Sequence, residues 1–490
     1  MTRTLVWFRG KDLRTHDHEP LLHAIEAGDV IPLFVLDPYF FAKERASKIP
    51  HRMQFLLESI ESLSLNLAHL GSELVVVRGK SIEVIPKIAT ALRVTRVVAH
   101  RWTEPFARER DNRIEAALSV PFELYEGETL RPPGALRTGS GTPYAVFTPF
   151  CRAFEAAEAI RPALAAPELV PPVPKSTWDR LEAAGFQRAQ LPTLEELGIE
   201  RNPLIQRGGE RAARDRMKSF LRERVDRYDS ERDRMDLAST SRLSADLKFG
   251  TLSVRTLWNA LMQTKTSTSS RTKYARELIW REFTHATLHA RPSVSTRPFR
   301  SDFEGFPWRS DPQNPDFLAW QKGLTGYPIV DAASRQLLAE GFVHNRARMI
   351  AASFLTKHLL VDYKLGESHY LAYLTDGDWA QNNAGWQWSA GCGCDAQPYF
   401  RVFNPITQGE KFDPMGDYVR RWVPELRDLD AKHIHAPFDA PDAVLSRAGV
   451  TLGTTYPRPI VDHAEARKRF LDTASKHLQA VRESTATPRD

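Results

Sequence analysis

The stretch TLVWFRGKDLRTHDHEPL (residues 4–21) combines an apolar strand pattern with a charged turn. Three further apolar runs follow at residues 30–36 (VIPLFVL), 73–77 (ELVVV) and 96–100 (RVVAH), and helical patterns such as HRMQFLLESIESLSLNLAHL (51–70) separate them. Short β-branched runs that alternate with helices are typical of a parallel sheet covered on both faces. The first part of the chain is therefore predicted to be an α/β domain with a doubly wound parallel sheet.

The composition is that of a globular protein of more than one domain: 490 residues, 42% hydrophobic and 26% charged. Neither GxGxxG nor GxxxxGK follows the first strand, so the usual nucleotide phosphate loops are absent there. The net charge of +6 suits an anionic partner without demonstrating one. No apolar run could span a membrane, and the first residues are too charged for a signal peptide, so we expect a cytoplasmic protein that does not enter membranes.

The cysteines and histidines predict no metal site. Three cysteines, Cys151, Cys392 and Cys394, are too few for a disulfide scaffold. The pair Cys392 and Cys394 lacks the CxxC spacing and the second ligand pair of a zinc site. The 15 histidines form no HExxH motif, and no GxSxG indicates a hydrolase. Cys392 and Cys394 therefore receive no predicted role.

The predicted secondary structure changes at two places along the chain. Residues 160–176 (IRPALAAPELVPPVPKS) carry too many prolines for regular structure and are predicted to be a connector. After about residue 205, strand patterns nearly vanish and amphipathic helical patterns such as KYARELIWREFTHATLHA dominate. The predicted segments are an α/β domain (1–130), a linker (131–204), an all-helical domain (205–475) and a loose polar tail (476–490).

Three sets of polar and aromatic residues recur at helical spacing, so each set would share one helix face. The sets are Glu277, Trp280 and Arg281; Asn345, Arg346 and Met349; and Asp378, Asn382 and Trp386. Each also fits an ordinary amphipathic helix with a solvated ion pair, a methionine filler or a core tryptophan. A polar, planar ligand would satisfy the acid and amide of the third set, but spacing alone does not identify such a ligand.

Several motifs in order resemble the photolyase/cryptochrome family. They are LVWFRGKDLRTHDHEPL, GSGTPYAVFTPF (139–150), TSRLSADLKFGTLSVR (240–255), ELIWREF (277–283), WQKGLTGYPIVDAASRQL (320–337), HNRARMIAASFL (344–355) and DGDWAQNNAGWQW (376–388) with DAQPYFRVFNPITQGEKFD (395–413). The resemblance extends to about residue 475, is strongest to microbial class I-type photolyases, and departs from the family at Gly10-Lys11. It implies an α/β antenna domain, a linker and a helical domain that holds FAD.

The resemblance implies a light-driven lyase that splits cyclobutane pyrimidine dimers in UV-damaged DNA by electron transfer from photoexcited, reduced FAD. It assigns the flavin phosphates to Thr240–Ser244, the ribityl chain and ring to Asp376 and Asp378, and flavin N5 to Asn382, whose amide adds no charge. Arg348 is expected to pair with Asp376. The full cofactor set is Tyr228, Thr240, Ser241, Arg242, Leu243, Ser244, Tyr274, Glu277, Arg281, Asn345, Arg348, Asp376, Asp378 and Asn382.

A dimer must leave the duplex to reach a flavin, and the resemblance names residues for a flipped lesion. Glu277 is the expected hydrogen-bonding carboxyl, Trp280 and Trp388 are the expected walls, and Glu277, Asn382 and Met349 are the expected catalytic residues. The arginines would hold phosphates without reading sequence. The DNA-binding set is Arg232, Glu277, Trp280, Arg281, Asn345, Arg346, Met349, Trp388 and Arg401.

The helix with Asn345 and Met349 also indicates the subtype. The (6-4) photolyases carry histidines at these two positions, and DASH cryptochromes usually carry glutamine at the second. We therefore expect a monomer that repairs dimers in duplex DNA. The alternative is a cryptochrome-like blue-light photoreceptor that binds FAD and signals through a partner. That alternative predicts lost repair residues or a long tail, and the sequence has neither.

This sequence departs at one position from the three tryptophans through which the family usually reduces its flavin. Trp386 matches the inner tryptophan and Trp308 the outer one, but Tyr363 stands at the middle position. Oxidation of tyrosine is coupled to loss of a phenolic proton whose usual pKa is about 10. The hypothesis is photoreduction through Tyr363 or a detour through Trp379. The antenna chromophore (a folate, a deazaflavin, a flavin or none) is undecided, and Trp102 and Glu104 are its candidate contacts.

Overall fold

The structure is a computed structural model that describes residues 2–486 and divides into two compact units. Within the described residues, unit 1 comprises the chain up to Asp229 together with Thr240–Pro292 and Thr375–Asp378. Unit 2 comprises Ser230–Ser239, Ser293–Leu374 and the chain from Trp379 onward. These units do not coincide with the predicted domains, whose bounds stay a prediction.

Unit 1 contains a five-stranded sheet in the order β3-β2-β1-β4-β5, with all pairings parallel. The strands are β1 (Thr2–Phe8), β2 (Gly28–Leu36), β3 (Val75–Arg78), β4 (Arg96–His100) and β5 (Phe122–Tyr125). Separate apolar clusters, one with Phe8 and one with Trp7, cover the opposite faces of β1. This confirms the predicted doubly wound α/β fold. The sequence missed β5, a short, half-buried edge strand without a β-branched run.

Helices make up the rest of unit 1. They are α1 (Glu19–Ala27), α2 (Pro38–Phe41), α3 (Lys43–Ala46), α4 (Pro50–His69), α5 (Ser81–Ala91), α6 (Pro105–Ala117), α7 (Phe147–Ala156), α8 (Thr177–Ala183), α9 (Glu210–Glu223), α10 (Tyr228–Glu231, which ends in unit 2), α11 (Ser244–Phe249), α12 (Val254–Gln263) and α13 (Thr268–Ala290). The proline-rich connector is irregular as predicted, although α7 and α8 lie within the predicted linker.

Unit 2 is helical, as predicted for this part of the chain. Its helices are α14 (Pro315–Lys322), α15 (Pro328–Glu340), α16 (Asn345–Ser353), α17 (Tyr363–Tyr373), α18 (Trp379–Ala390), α19 (Pro405–Phe412), α20 (Asp417–Trp422), α21 (Asp442–Arg447) and α22 (His463–Ala486). A π-helical turn, Phe354–His358, directly follows α16. No helix among residues 2–486 has both the length and the apolar character that crossing a membrane requires.

Two local predictions are corrected. Helix α22 extends to Ala486, so the tail predicted to be loose is helical from residue 476 to 486; residues 487–490 lie outside the described part. Helix α18 begins at Trp379, so Asp378 precedes the helix that carries Asn382 and Trp386. The predicted strip of three residues on one helix is therefore wrong for Asp378, because its backbone belongs to the segment that packs in unit 1.

The turn after β1 packs closely against the end of α11. Gly250 caps α11 in the left-handed conformation (φ 62°), and a Cβ at this position would lie 1.9 Å from the carbonyl oxygen of Lys11. The Leu13 amide donates to the Phe249 carbonyl (3.3 Å), and an Arg14 Nη1 donates to the Gly250 carbonyl (3.0 Å). Only glycine allows both this backbone conformation and this approach.

We predict that Gly250→Ala lowers the free energy of unfolding by about 2 kcal/mol or more, because the left-handed conformation alone costs about 1–2 kcal/mol and the Lys11 carbonyl must also move. Urea unfolding followed by circular dichroism measures this loss. Gly139→Ala is the matched control, since Gly139 has open space around it and no positive φ; we expect a change within about 0.5 kcal/mol. Equal effects of the two substitutions would contradict the packing argument.

Candidate functional site

The segment Thr240–Ser244 lies in unit 1 and leads into α11. Arg242 has a left-handed backbone (φ 54°), a conformation that is uncommon for residues with side chains and is concentrated at functional sites. Leu243 is buried and anchors the segment, whereas Thr240 and Ser241 are half-buried and Ser244 is exposed. The segment therefore presents hydroxyl groups and one guanidinium, the side-chain donors that bind phosphate oxygens.

Two predicted tyrosines support this segment. The Tyr274 hydroxyl forms a hydrogen bond with the side chain of Ser241, and burial raises the pKa of Tyr274, so the phenol stays neutral. The rings of Tyr228 and Tyr274 meet edge to face with centroids 5.0 Å apart, and Phe220 packs on Tyr274 at 4.7 Å. The structure thus brings Tyr228, Tyr274 and the phosphate-loop residues together in one part of unit 1.

Helix α13 carries Glu277, Trp280 and Arg281. Trp280 stacks on Phe147 with centroids 3.6 Å apart and planes 5° from parallel, and both Glu277 and Trp280 are half-buried. Arg281 differs: its side chain is buried, and Nη1 donates to the Glu128 carbonyl at 2.6 Å. This guanidinium is engaged inside unit 1, and the predicted DNA and cofactor roles of Arg281 stay predictions.

Asp376 and Asp378 are buried in unit 1. Asp378 Oδ2 lies 3.3 Å from the Lys11 ammonium, and its Oδ1 lies 3.9 Å from His285 Nε2. Between the two acids, the Gly377 carbonyl accepts a hydrogen bond from Arg52 at 3.4 Å. The acid segment of the sequence is therefore held by cations from the first third of the chain. The predicted pairing of Arg348 with Asp376 stays a prediction.

Asn382 lies on α18 in unit 2 and is buried. Its Nδ2 donates to the Glu367 carbonyl at 3.1 Å, which leaves Oδ1 oriented as an acceptor. The next residue, Asn383, donates to the Glu367 carboxylate at 3.0 Å and to the Val294 carbonyl at 3.1 Å. Burial raises the pKa of Glu367 to about 7. Glu367 was not predicted from the sequence, although it orients both asparagines.

Helix α16 places Asn345 and Met349 on one face, as the spacing predicted. Asn345 is exposed, and its Nδ2 lies 3.7 Å from Met349 Sδ. Arg346 pairs with Asp233 at 2.9 Å and lies over the Phe412 ring, while Arg348 Nε donates to the Val343 carbonyl at 2.8 Å. Asn345 is thus better placed for an external ligand than for a buried cofactor contact.

The other predicted DNA-binding residues lie at or near the surface of unit 2. Trp388 on α18 is half-buried, Arg401 is exposed and Arg232 is half-buried. The Arg401 carbonyl accepts a hydrogen bond from Lys357 at 2.8 Å, which fixes the backbone at this position. The roles of these three side chains stay predictions.

The predicted electron carriers lie in unit 2, and Trp386 has aromatic neighbours that the sequence did not indicate. Trp320 and Tyr370 meet the Trp386 ring at 5.9 and 5.1 Å. Tyr363 contacts Trp308 at 5.5 Å, and Trp379 is exposed. The buried Tyr363 hydroxyl has no hydrogen-bond partner among the described residues, and burial raises the pKa of Tyr363. The role of Tyr363 in electron transfer stays a prediction.

The two antenna candidates are interior residues of unit 1. Trp102 is buried, with the guanidinium carbons of Arg9 and Arg110 at 5.2 and 4.9 Å from its ring centroid. Glu104 is also buried and pairs with Lys11. Both side chains are engaged with buried cations, and their contact with an antenna chromophore stays a prediction.

Asp12, His18 and His100 also converge in unit 1, with Asp12 Oδ2 at 3.9 Å from His18 Nε2 and 3.5 Å from His100 Nδ1. Burial lowers the pKa values of both histidines well below their ordinary range. His18 Nδ1 accepts the Leu21 amide at 3.1 Å, so the proton of the neutral ring lies on Nε2. That nitrogen carries a proton and lies 3.9 Å from Asp12 Oδ2, beyond hydrogen-bonding distance. A protonated nitrogen has no lone pair for a metal ion.

Comparison with known proteins agrees with the motifs. Residues 4–172 match the family described as DNA photolyase, and residues 274–476 match the FAD binding domain of DNA photolyase. The chain is 39% identical over 475 residues to a deoxyribodipyrimidine photo-lyase of Agrobacterium fabrum, covering 95% of this chain and 96% of that protein.

Two solved structures are also similar over nearly their whole length. A bacterial class III photolyase from Agrobacterium tumefaciens has a TM-score of 0.89 and 37% identity, covering 98% of both chains. The Synechocystis sp. PCC6803 cryptochrome has a TM-score of 0.86 and 30% identity, covering 96% of this chain and 99% of that chain. These similarities show that the chain belongs to the DNA photolyase family.

Proposed function

We propose that the protein is a light-driven DNA-repair enzyme that binds FAD and splits cyclobutane pyrimidine dimers in UV-damaged DNA. FAD, when bound and reduced, supplies the excited electron that this chemistry needs. The protein binds the lesion, orients it and excludes water. We also propose that it acts as a monomer and has the domain boundaries predicted from the sequence. Its class I-type assignment and cytoplasmic location stay predictions.

The proposal rests on the side chains along one face of α13. Glu277 offers a half-buried carboxyl one turn away from Trp280, whose ring is held flat by Phe147 at 3.6 Å. A ring that is packed on one side and partly open gives a flipped base a fixed stacking surface. The carboxyl on the same face can accept hydrogen bonds from the N–H groups of the bases. This combination binds damaged bases rather than intact duplex, because unstacking costs least at a damaged step.

The residues present fit FAD by the chemistry of their donors. Thr240, Ser241 and Arg242 would hold the phosphates, and the neutral Tyr274 orients Ser241. Asn382 would face the flavin ring with Oδ1, since its Nδ2 is already bonded to the Glu367 carbonyl at 3.1 Å. An amide oxygen accepts a hydrogen bond from a ring N–H without adding negative charge to the site. This property suits a protein that works with reduced flavin.

A second candidate is a blue-light photoreceptor. The observation that favours it is the similarity to the Synechocystis cryptochrome, with a TM-score of 0.86 over 96% of this chain. Glu277, Trp280, Asn345 and Met349 favour repair, because a photoreceptor does not need residues for binding a lesion.

The deciding experiment uses purified, chemically reduced protein and an oligonucleotide with one thymine cyclobutane dimer, under blue light and in the dark. We expect dimer loss only in the light. A normal flavin spectrum without dimer loss would favour the photoreceptor, and a protein that binds no flavin would contradict both functions.

We predict that Trp280→Ala weakens binding of the dimer-containing oligonucleotide by about 5- to 150-fold, because stacking of one base on an aromatic side chain contributes about 1–3 kcal/mol. Fluorescence anisotropy in the dark measures the dissociation constant. Trp178→Ala is the control, since Trp178 is also half-buried but bonds through its indole to Glu73 at 3.0 Å. An equal loss in both variants would argue against a stacking role for Trp280.

We predict that Tyr363→Phe leaves the rate of flavin photoreduction unchanged, whereas Trp320→Phe slows it and Trp386→Phe abolishes it. The reason is that the Tyr363 proton has no acceptor, while Trp320 is the indole in contact with Trp386 at 5.9 Å. The measurement follows flavin absorbance under blue light with an external thiol reductant. Slow photoreduction in Tyr363→Phe alone would restore Tyr363 as the carrier.

A further inference from the structure

The strand order of the sheet reverses beside β1, between β1 and β4. In open α/β sheets, ligands usually bind outside the carboxyl ends of the strands at such a point. Here the loops after β1, β4 and β5 bring Lys11, Glu104 and Glu128 together. This place in the fold is thus occupied by a charged cluster, and Lys11 belongs to the unusual Gly10-Lys11 pair of the sequence.

The cluster centres on the Lys11 ammonium. It contacts carboxylate oxygens of Glu104 and Glu128 and lies 3.3 Å from Asp378 Oδ2. His285 lies between two of these acids, with Nδ1 3.9 Å from Glu128 and Nε2 3.9 Å from Asp378. Both imidazole nitrogens lack a hydrogen-bond partner among the described residues. Lys11 lies at hydrogen-bonding distance from Asp378.

The fold holds Glu128 firmly. Glu128 Oε2 accepts the Thr103 amide at 2.8 Å and the Thr103 hydroxyl at 2.9 Å, and its carbonyl accepts Arg281. The backbone of Lys11 is fixed as well, because it packs directly against Gly250. Lys11 therefore connects a rigid edge of the sheet to Asp378, which comes 367 residues later in the chain.

We propose that Lys11 is a positioning residue of the flavin site: its buried ammonium holds Asp378 in one place and in its ionised form by linking that carboxylate to Glu104 and Glu128. The inference rests on the proposed function, because it takes Asp378 as one of the acids that contact the flavin. Lys11 itself acts through Asp378 and needs no contact with the cofactor.

The electrostatics support this assignment. A buried carboxylate is unstable unless a cation or several donors compensate its charge. Burial is the largest influence on Glu128 and opposes its ionisation, but Lys11, His285 and Arg281 together outweigh burial and lower the pKa of Glu128 to about 2. Burial raises the pKa of Glu104, and the charge of Lys11 opposes that rise. Without Lys11, the three acids would repel one another, and Asp378 would shift or take up a proton.

The test compares Lys11→Met, the double variant Lys11→Met with Glu104→Gln, and Lys80→Met, each as the full chain. Lys80 is exposed, so its substitution controls for loss of a lysine at the surface. The double variant removes one positive and one negative charge, which keeps the net charge of the cluster but not the bridge to Asp378. Far-ultraviolet circular dichroism reports folding, and flavin fluorescence on titration with FAD gives the dissociation constant.

We expect both Lys11 variants to bind FAD at least tenfold more weakly than the unsubstituted chain, a difference equivalent to about 1.4 kcal/mol. The visible circular dichroism of the residual bound flavin should also change, because that signal reports how the ring is held. Lys80→Met should match the unsubstituted chain in both measurements. If Lys11→Met does not fold, the charge-matched double variant carries the comparison.

Unchanged FAD affinity and an unchanged flavin signal in Lys11→Met would overturn the proposal. Full recovery in the double variant would also overturn it, because net charge rather than the bridge would then be the requirement. If the unsubstituted chain binds FAD and repairs dimers in either case, the proposed function stands and only the role of Lys11 fails. If the unsubstituted chain binds no FAD, the proposed function fails, and the role of Lys11 fails with it.

Discussion

A buried ammonium in contact with three carboxylates holds separate parts of unit 1 together. Lys11 follows β1, Glu104 follows β4, Glu128 follows β5, and Asp378 comes from a distant segment, so one cation joins three sheet loops to that segment. Four charged groups can be buried together only if their geometry compensates the lost hydration. The close packing of Lys11 on Gly250 meets this condition by fixing the backbone that carries the cation.

Residues close in sequence around position 378 belong to different units and have different partners. Asp376 and Asp378 belong to unit 1, whereas Asn382, only four residues after Asp378, belongs to unit 2 and is oriented by Glu367. The acids depend on cations of the α/β part, and the amide depends on a neighbouring helix. Each polar group has its own set of partners, which is what buried polar groups require.

A second constraint concerns the aromatic residues of unit 2. It is whether a proton released on oxidation of a side chain has an acceptor. Trp386, Trp320 and Tyr370 form contacts between 5 and 6 Å, and an indole can lose an electron without an adjacent base. Tyr363 stands where the family resemblance predicts a tryptophan, and its buried hydroxyl has no hydrogen-bond partner among the described residues. Substitution of an indole by a phenol therefore changes the chemistry of the position even though the ring contact with Trp308 persists.

Local patterns in the sequence determined the class of fold, four of the five strands, the helical second half and the shared face of Glu277 and Trp280, because each depends on periodicity within a few residues. The order of the motifs indicated the family because it resembles the order in known members. Tertiary structure alone decided that Arg281 is buried against Glu128, that Asp378 leaves the helix of Asn382, and that Trp320 contacts Trp386. It also decided that residues 476–486 extend a helix whose polar composition gave no sign of packing. These features depend on contacts between residues distant in the chain, up to 367 positions apart for Lys11 and Asp378, and no local period encodes them.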